Sequence, residues 1–228
     1  ETITLEAMLY IPSAGSIDGG EGYFHQAIHS EFGIHADFGS VELSGSVIQL
    51  AGDPVAEFGP GSFFGMENSS LEADDDIPMT VAVRGGIQWE NSTIVAPENG
   101  LLIEDAFGEM VGGGVLGSNG DGLTMSGALD GLTLDFFTVE GSAGNALVFD
   151  NAPFTVVQNV EILNTGGLDV VARNGSLAVL QDCSFDDNMV SVEPGSGLVR
   201  AWTTHLMVVD EMDQPIAGVN VDIFDATG

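Results

Sequence analysis

The chain has 228 residues, 44% of them apolar, and it carries 35 acidic residues against three basic ones, for a formal charge of −32. There is no lysine, and Arg84, Arg173 and Arg200 are too few and too scattered to neutralise phosphates, which excludes nucleic acid and disfavours anionic membranes as partners. Apolar residues run throughout, so the charge belongs to a folded surface suited to salt or bound divalent cations, as in a marine or halophilic source, and not to a disordered acidic tail.

The chain opens at Glu1 with ETITLEAMLYIP, where Ile3, Leu5, Met8, Leu9 and Tyr10 suggest a strand. A start without initiator Met or leader matches a mature or excised form of an extracellular protein, and equally a chain begun artificially. Next, EGYFHQAIHSEF spaces Phe24, Ile28 and Phe32 by four, which predicts an amphipathic capping helix within a terminal unit, residues 1–39. On such a helix His25 and His29 would share one face, the beginning of a metal site that Glu31, His35 or Asp37 would complete.

From about residue 40 to 210 a repeat takes over. Phe137, Val160, Cys183 and Leu206 recur at every twenty-third position, and Leu134, Val157, Leu180, Thr203 and Val139, Ile162, Phe185, Val208 move with them. Such a period marks stacked units that share one core. Extending the apolar tracks back gives Leu71, Ile94, Val115, Phe137; then Val81, Ile103, Met125, Val148, Val171, Val192; and Ile87, Met110, Leu132, Phe154, Leu177, Leu198. Three short strands per coil follow, alternating inward and outward. Gly, Asn and Asp mark the turns, among them Gly112 to Gly114 and a ladder of Asn119, Gly141, Asn164, Asp187 and Asp210. Cys183 is single and falls on an inward position, as a small core hydrophobe.

This pattern, plainest in FTVVQNVEILNTGG and LAVLQDCSFDDN, resembles the pectin-lyase-like superfamily. The resemblance implies an all-β, right-handed, single-stranded parallel β-helix with three sheets, its coils following the repeat at about 23 residues each. At the far end, residues 211–228, with Asp210, Pro215, Gly218, Val219 and Val221, resemble the opening strands of a carboxypeptidase-regulatory-like or Ig-like domain. Those strands would be completed by further chain, by the helix end or by another molecule; donation of the first strand to a neighbour would build a filament.

Family enzymes place their chemistry on an outer sheet face, where lyases combine calcium-binding acids with an Arg or Lys base. The polygalacturonase-like motifs are incomplete here: Asn164-Thr165 runs into Gly166, and no Gly-His-Gly exists. Glycoside hydrolysis needs two carboxylates roughly 5 to 10 Å apart, for which Asp135, Glu161 and Asp182 on outward tracks are the candidates. Asp74, Asp75 and Asp76, and the turn Asp186-Asp187, offer oxygens of the kind Ca²⁺ takes. No apolar run is long enough to span a membrane. Two functions are open: a non-enzymatic secreted or cell-surface spacer, adhesin or surface-layer element, or a carbohydrate-active domain stacking sugars on Trp89 or Trp202.

Overall fold

The computed structural model describes residues 3–5, 9–11, 16–18, 27–30, 33–36, 40–45, 47–50, 55–73, 79–95, 97–129, 131–204, 207–209, 212 and 214, with side chains from Ile34 onward except at His35, Gln49, Leu50, Val55 and Pro97. It is an all-β parallel solenoid with a turn of about 23 residues, the same step that separates many of its coil-to-coil hydrogen-bond partners. Every strand pair among the described residues is parallel, as successive coils winding the same way require. Each residue therefore sits above its counterpart one coil earlier. Leu134 lies over Val157 and Val157 over Leu180; Val139 lies over Ile162.

The strands form three columns but only two hydrogen-bonded sheets. The first column holds Phe63–Glu67, Leu132–Asp135, Thr155–Gln158, Leu177–Gln181 and Gly197–Ala201; the second holds Ser70–Ala73, Thr138–Glu140 and Glu161–Leu163. Two ten-residue strands, Gly86–Val95 and Phe107–Leu116, run through both columns and fuse them into one 15-stranded sheet. The third column is a separate nine-stranded sheet ending at Val190–Val192. Three separate sheets were expected, because Gly112 to Gly114 read as a turn. Instead the strand bends there without breaking: Gly112 and Gly113 adopt φ of 73° and 80°, and a side chain on Gly113 would overlap the Ser92 carbonyl oxygen below.

Alternation gives one core along the axis. Trp89, Phe58, Phe64, Phe137 and Phe149 are fully buried, and the indole Nε1 of Trp89 donates to the Gly112 carbonyl at 3.0 Å, satisfying the polar edge of a buried ring. Phe58 and Phe64 stack with centroids 4.1 Å apart. Cys183 is buried, and burial pushes its thiol pKa up.

The register departs from the expected tracks at several loops. Gly127 to Gly131 lengthens its coil, so Met110 faces Leu134 and not Leu132, Val115 faces Val139 and not Phe137, and Met125 faces Phe149 and not Val148. For the first two pairs the slip is two residues, which preserves alternation and leaves no mark on the sequence pattern; for Met125 it is one residue, between Val148 and Phe149, both buried. In the other direction, the Val81 track slips by two, since Val83 and not Val81 faces Ile103, and Leu180 meets Arg200, ahead of Thr203. Phe154 and Leu177, expected inside, lie on the outer face.

No α-helix occurs among the described residues; the only helical element there is a 3-10 turn, Asp187–Met189. The expected N-terminal capping helix is instead the strands Ala27–Ser30 and Gly33–Ala36. Ala27–Ser30 pairs on both edges, Ile28 facing Ile3 and Ile48. Two parallel partners satisfy its backbone and override the four-residue spacing that favoured a helix. These strands join the same two sheets as the repeat.

Candidate functional site

The corner between the first two columns concentrates the residues singled out for chemistry. Asn68, Asn91, Phe136, Asn159 and Asp182 all adopt the left-handed backbone there, with φ between 46° and 54°. Asn and Asp tolerate that conformation, and stacking one above another lets each bond its neighbour. The side-chain amide of Asn159 donates to Asp135 at 2.7 Å. One coil on, the Asp182 carboxylate accepts from the Thr203 backbone N–H at 2.7 Å and from its hydroxyl at 2.5 Å. Asp135 and Asp182 thus share a corner but lie two coils apart, roughly 10 Å at sheet spacing, with Asn159 between them. Glu161 sits around the corner in the second column, opposite Thr138 and Ser184. The three candidate catalytic acids are not gathered at one point.

The same device recurs at the other corners. Asn174 donates to Asp150 at 2.6 Å, Asn145 to Asp121 at 2.9 Å and Asn164 to Glu140 at 3.3 Å, each spanning one coil. The ladder expected through Asn119 runs through Gly117, Gly141 and Asn164 instead, with Gly117 and Gly141 donating to the backbone of the following coil; its Asp210 lies outside the described residues. Burial alone would raise the Asp150 pKa, but Asn174 and Arg173, the latter also an ion pair at 2.8 Å, hold it below the usual carboxylate value.

All three arginines are engaged. Arg84 is clamped between Glu57 and Glu104 on neighbouring coils of the nine-stranded sheet, and its hydrogen bond to Glu104 leads in raising its pKa, so it stays a cation and is no base. Arg200 occupies an inward track position above Leu180, at the last described strand of the first column. Its guanidinium turns across the end of the core, 4.2 Å from the Phe185 ring centroid and 5.0 Å from that of Trp202, pairs with Asp187 and donates to the Cys183 carbonyl at 3.3 Å. Arg173 and Arg200 lie in different sheets, as the repeat implied.

Among the described residues no three His, Cys, Asp or Glu side chains converge on a point where a metal ion would sit. Asp186 is used as a cap: its Oδ1 accepts from the backbone and side-chain N–H groups of Asn188, both at 2.9 Å, which lowers its pKa. Asp187 is taken by Arg200. His29 lies in a strand opposite Thr4 and Gln49, whereas His25, Asp74, Asp75 and Asp76 lie outside the described residues. The residues that sequence reasoning missed include Asp169, a buried acid whose Oδ2 accepts the Asp186 N–H at 2.8 Å and fixes the turn.

Of the two tryptophans offered as sugar platforms, Trp89 is sealed in the core and Trp202 is 64% exposed. No family model, curated protein or solved structure matches the chain.

Proposed function

We propose that this chain is a non-enzymatic, exported β-helix module of the pectin-lyase-like kind, serving as a rigid spacer or surface element in a saline setting. Its coils wind right-handed, as parallel crossovers do in about 98% of cases. One observation carries the reading: two of the three candidate catalytic acids and all three arginines are engaged in hydrogen bonds or ion pairs with neighbouring parts of the stack. Asn159 holds Asp135, Thr203 holds Asp182, and each arginine lies in an ion pair. The nine-stranded sheet alone extends about 38 Å along the axis at standard strand spacing, a length that suits a spacer.

The test is a panel of neutral and acidic polysaccharides incubated with the protein in about 1 M NaCl with millimolar Ca²⁺, conditions that screen the charge. No depolymerisation is expected. Turnover that disappears in Asp135→Asn or Asp182→Asn would overturn the spacer reading.

A second reading, binding of neutral glycans without cleavage, draws on the exposed Trp202 ring over Arg200. Trp89 is buried, so a ligand-dependent change in tryptophan emission would report on Trp202. A saturable shift with neutral oligosaccharides, lost in Trp202→Ala, would favour this reading over an inert spacer.

A further inference from the structure

The outer face of the first column is apolar over its whole length, and its large and small residues alternate along the axis. From Ser40–Ser44 to Gly197–Ala201 it spans eight coils, each presenting three outward positions that stack into three rows. The first row reads Phe63, Gly86, Phe107, Gly131, Phe154 and Leu177. Phe107 and Phe154 are 57% and 59% exposed on either side of Gly131, where an added Cβ would meet nothing within 4 Å. At Gly86 the Phe63 and Phe107 rings lean in, and a Cβ there would stand 2.8 Å from the first and 3.5 Å from the second. The row therefore has an open notch at Gly131 and a low aromatic floor at Gly86. A face of this composition ordinarily packs against something.

The charges select the occupant. In the row beside the corner the earlier coils carry the acids Glu67, Glu90 and Asp135, and the later coils carry the amides Gln158 and Gln181. A two-fold axis lying along the strands, between the coils of Phe107 and Gly131, sets a second copy face to face with its solenoid axis reversed and its rows in line. Phe107 then meets the partner's Gly131 notch and Phe154 meets the floor at the partner's Gly86. In the corner row Glu90 meets the partner's Gln158, and Glu67 meets the partner's Gln181. Within the chain Gln158 donates to Gln181 at 3.4 Å and Gln181 to Thr203 at 2.9 Å, and each amide NH2 keeps a second hydrogen for the facing carboxylate. Glu109 falls opposite the partner's Thr133 and Glu42 opposite the partner's Val199, so no carboxylate faces another. The alternative two-fold, along the solenoid axis, would set Glu109 and Glu42 against their own copies, a like-charge juxtaposition that disfavours it.

The area is sufficient. Eight strands by five residues cover about 600 Å², so two such faces together bury about 1,200 Å², the lower end of the range for specific interfaces. Of the chain's 35 acids only Glu42, Glu67, Glu90, Glu109 and Asp135 stand on these rows, and repulsion between the others is screened in a saline medium, where the Debye length is roughly 3 Å at 1 M. We infer that the outer face of the first column is the contact surface of an antiparallel, two-fold homodimer of this chain.

Sedimentation of the full chain over a range of concentrations in about 1 M NaCl tests this. The mass should double as concentration rises, and Phe107→Ser, a surface change that leaves the core intact, should weaken the dimer on the order of tenfold. The register has its own test. Gln158→Glu sets a carboxylate against the partner's Glu90 at two places and should also weaken association on the order of tenfold. Adding Glu90→Gln to the same chain restores both acid–amide pairs and should recover the wild-type dissociation constant. Within one chain these positions lie three coils apart, roughly 14 Å, so the recovery reports the contact between copies. Circular dichroism checks the folding of each variant, and Phe107→Ser decides alone should Gln158→Glu not fold. Monomer mass at every concentration would overturn the dimer. A dimer indifferent to Phe107→Ser and Gln158→Glu would overturn this face as its contact, and weakening by Gln158→Glu without recovery in the double variant would overturn the antiparallel register.

Discussion

At the scale of single residues, the stack punishes any side chain that faces the axis wrongly. Val160 is 1% exposed between Phe137 and Cys183, so Val160→Asp would bury an unpaired carboxylate and should abolish folding, measured as loss of the β-sheet circular dichroism signal. Asp150 makes a finer test. Its carboxyl titrates below the ordinary value of 3.8, so its contribution is present above that pH and is lost as pH falls through the depressed value. The stability difference between wild type and Asp150→Asn should therefore shrink on acidification below about pH 4. Measuring this as a difference separates it from the general relief of repulsion as other acids protonate; a difference independent of pH would contradict the ion-pair and amide contacts.

At the scale of the element, the corner ladders convert left-handed residues into coil-to-coil bonds. Asn159→Gly keeps the backbone conformation and loses the bond to Asp135, and should cost about 1 kcal/mol. Asn159→Ala loses the bond and keeps a Cβ at φ of 50° without the polar side chain that lets Asn tolerate it, so it should cost about 1 kcal/mol more than the Gly variant. Urea denaturation of the two variants should rank them in that order. The asparagines and the average coil-to-coil step of about 23 residues were legible in sequence, as was the inward-outward alternation of Val160, Glu161 and Ile162. The slip at Gly127 to Gly131 was not, because strands two residues out of register keep the same faces.

For the whole molecule, −32 charges on one solenoid set a dependence on ionic strength. Raising NaCl from low ionic strength to about 1 M shortens the Debye length to roughly 3 Å and should raise the melting temperature substantially, with millimolar Ca²⁺ acting in the same direction. A melting temperature indifferent to both would mean that the acidic surface is already balanced by its local hydrogen bonds.

The sequence by itself determined the parallel stack, its period, the inward placement of Phe137, Val160 and Cys183, and the absence of a basic surface, because periodicity and charge are properties of the string. Only the tertiary structure decided that Ala27–Ser30 is a strand, since its two partners lie about twenty or more positions away on either side. It also decided that Asp135, Glu161 and Asp182 are spread over a corner, and that Arg200 covers the end of the core beside an exposed Trp202. Which charges meet depends on the register between coils, and glycine loops of variable length set that register without leaving a mark on the hydrophobic pattern.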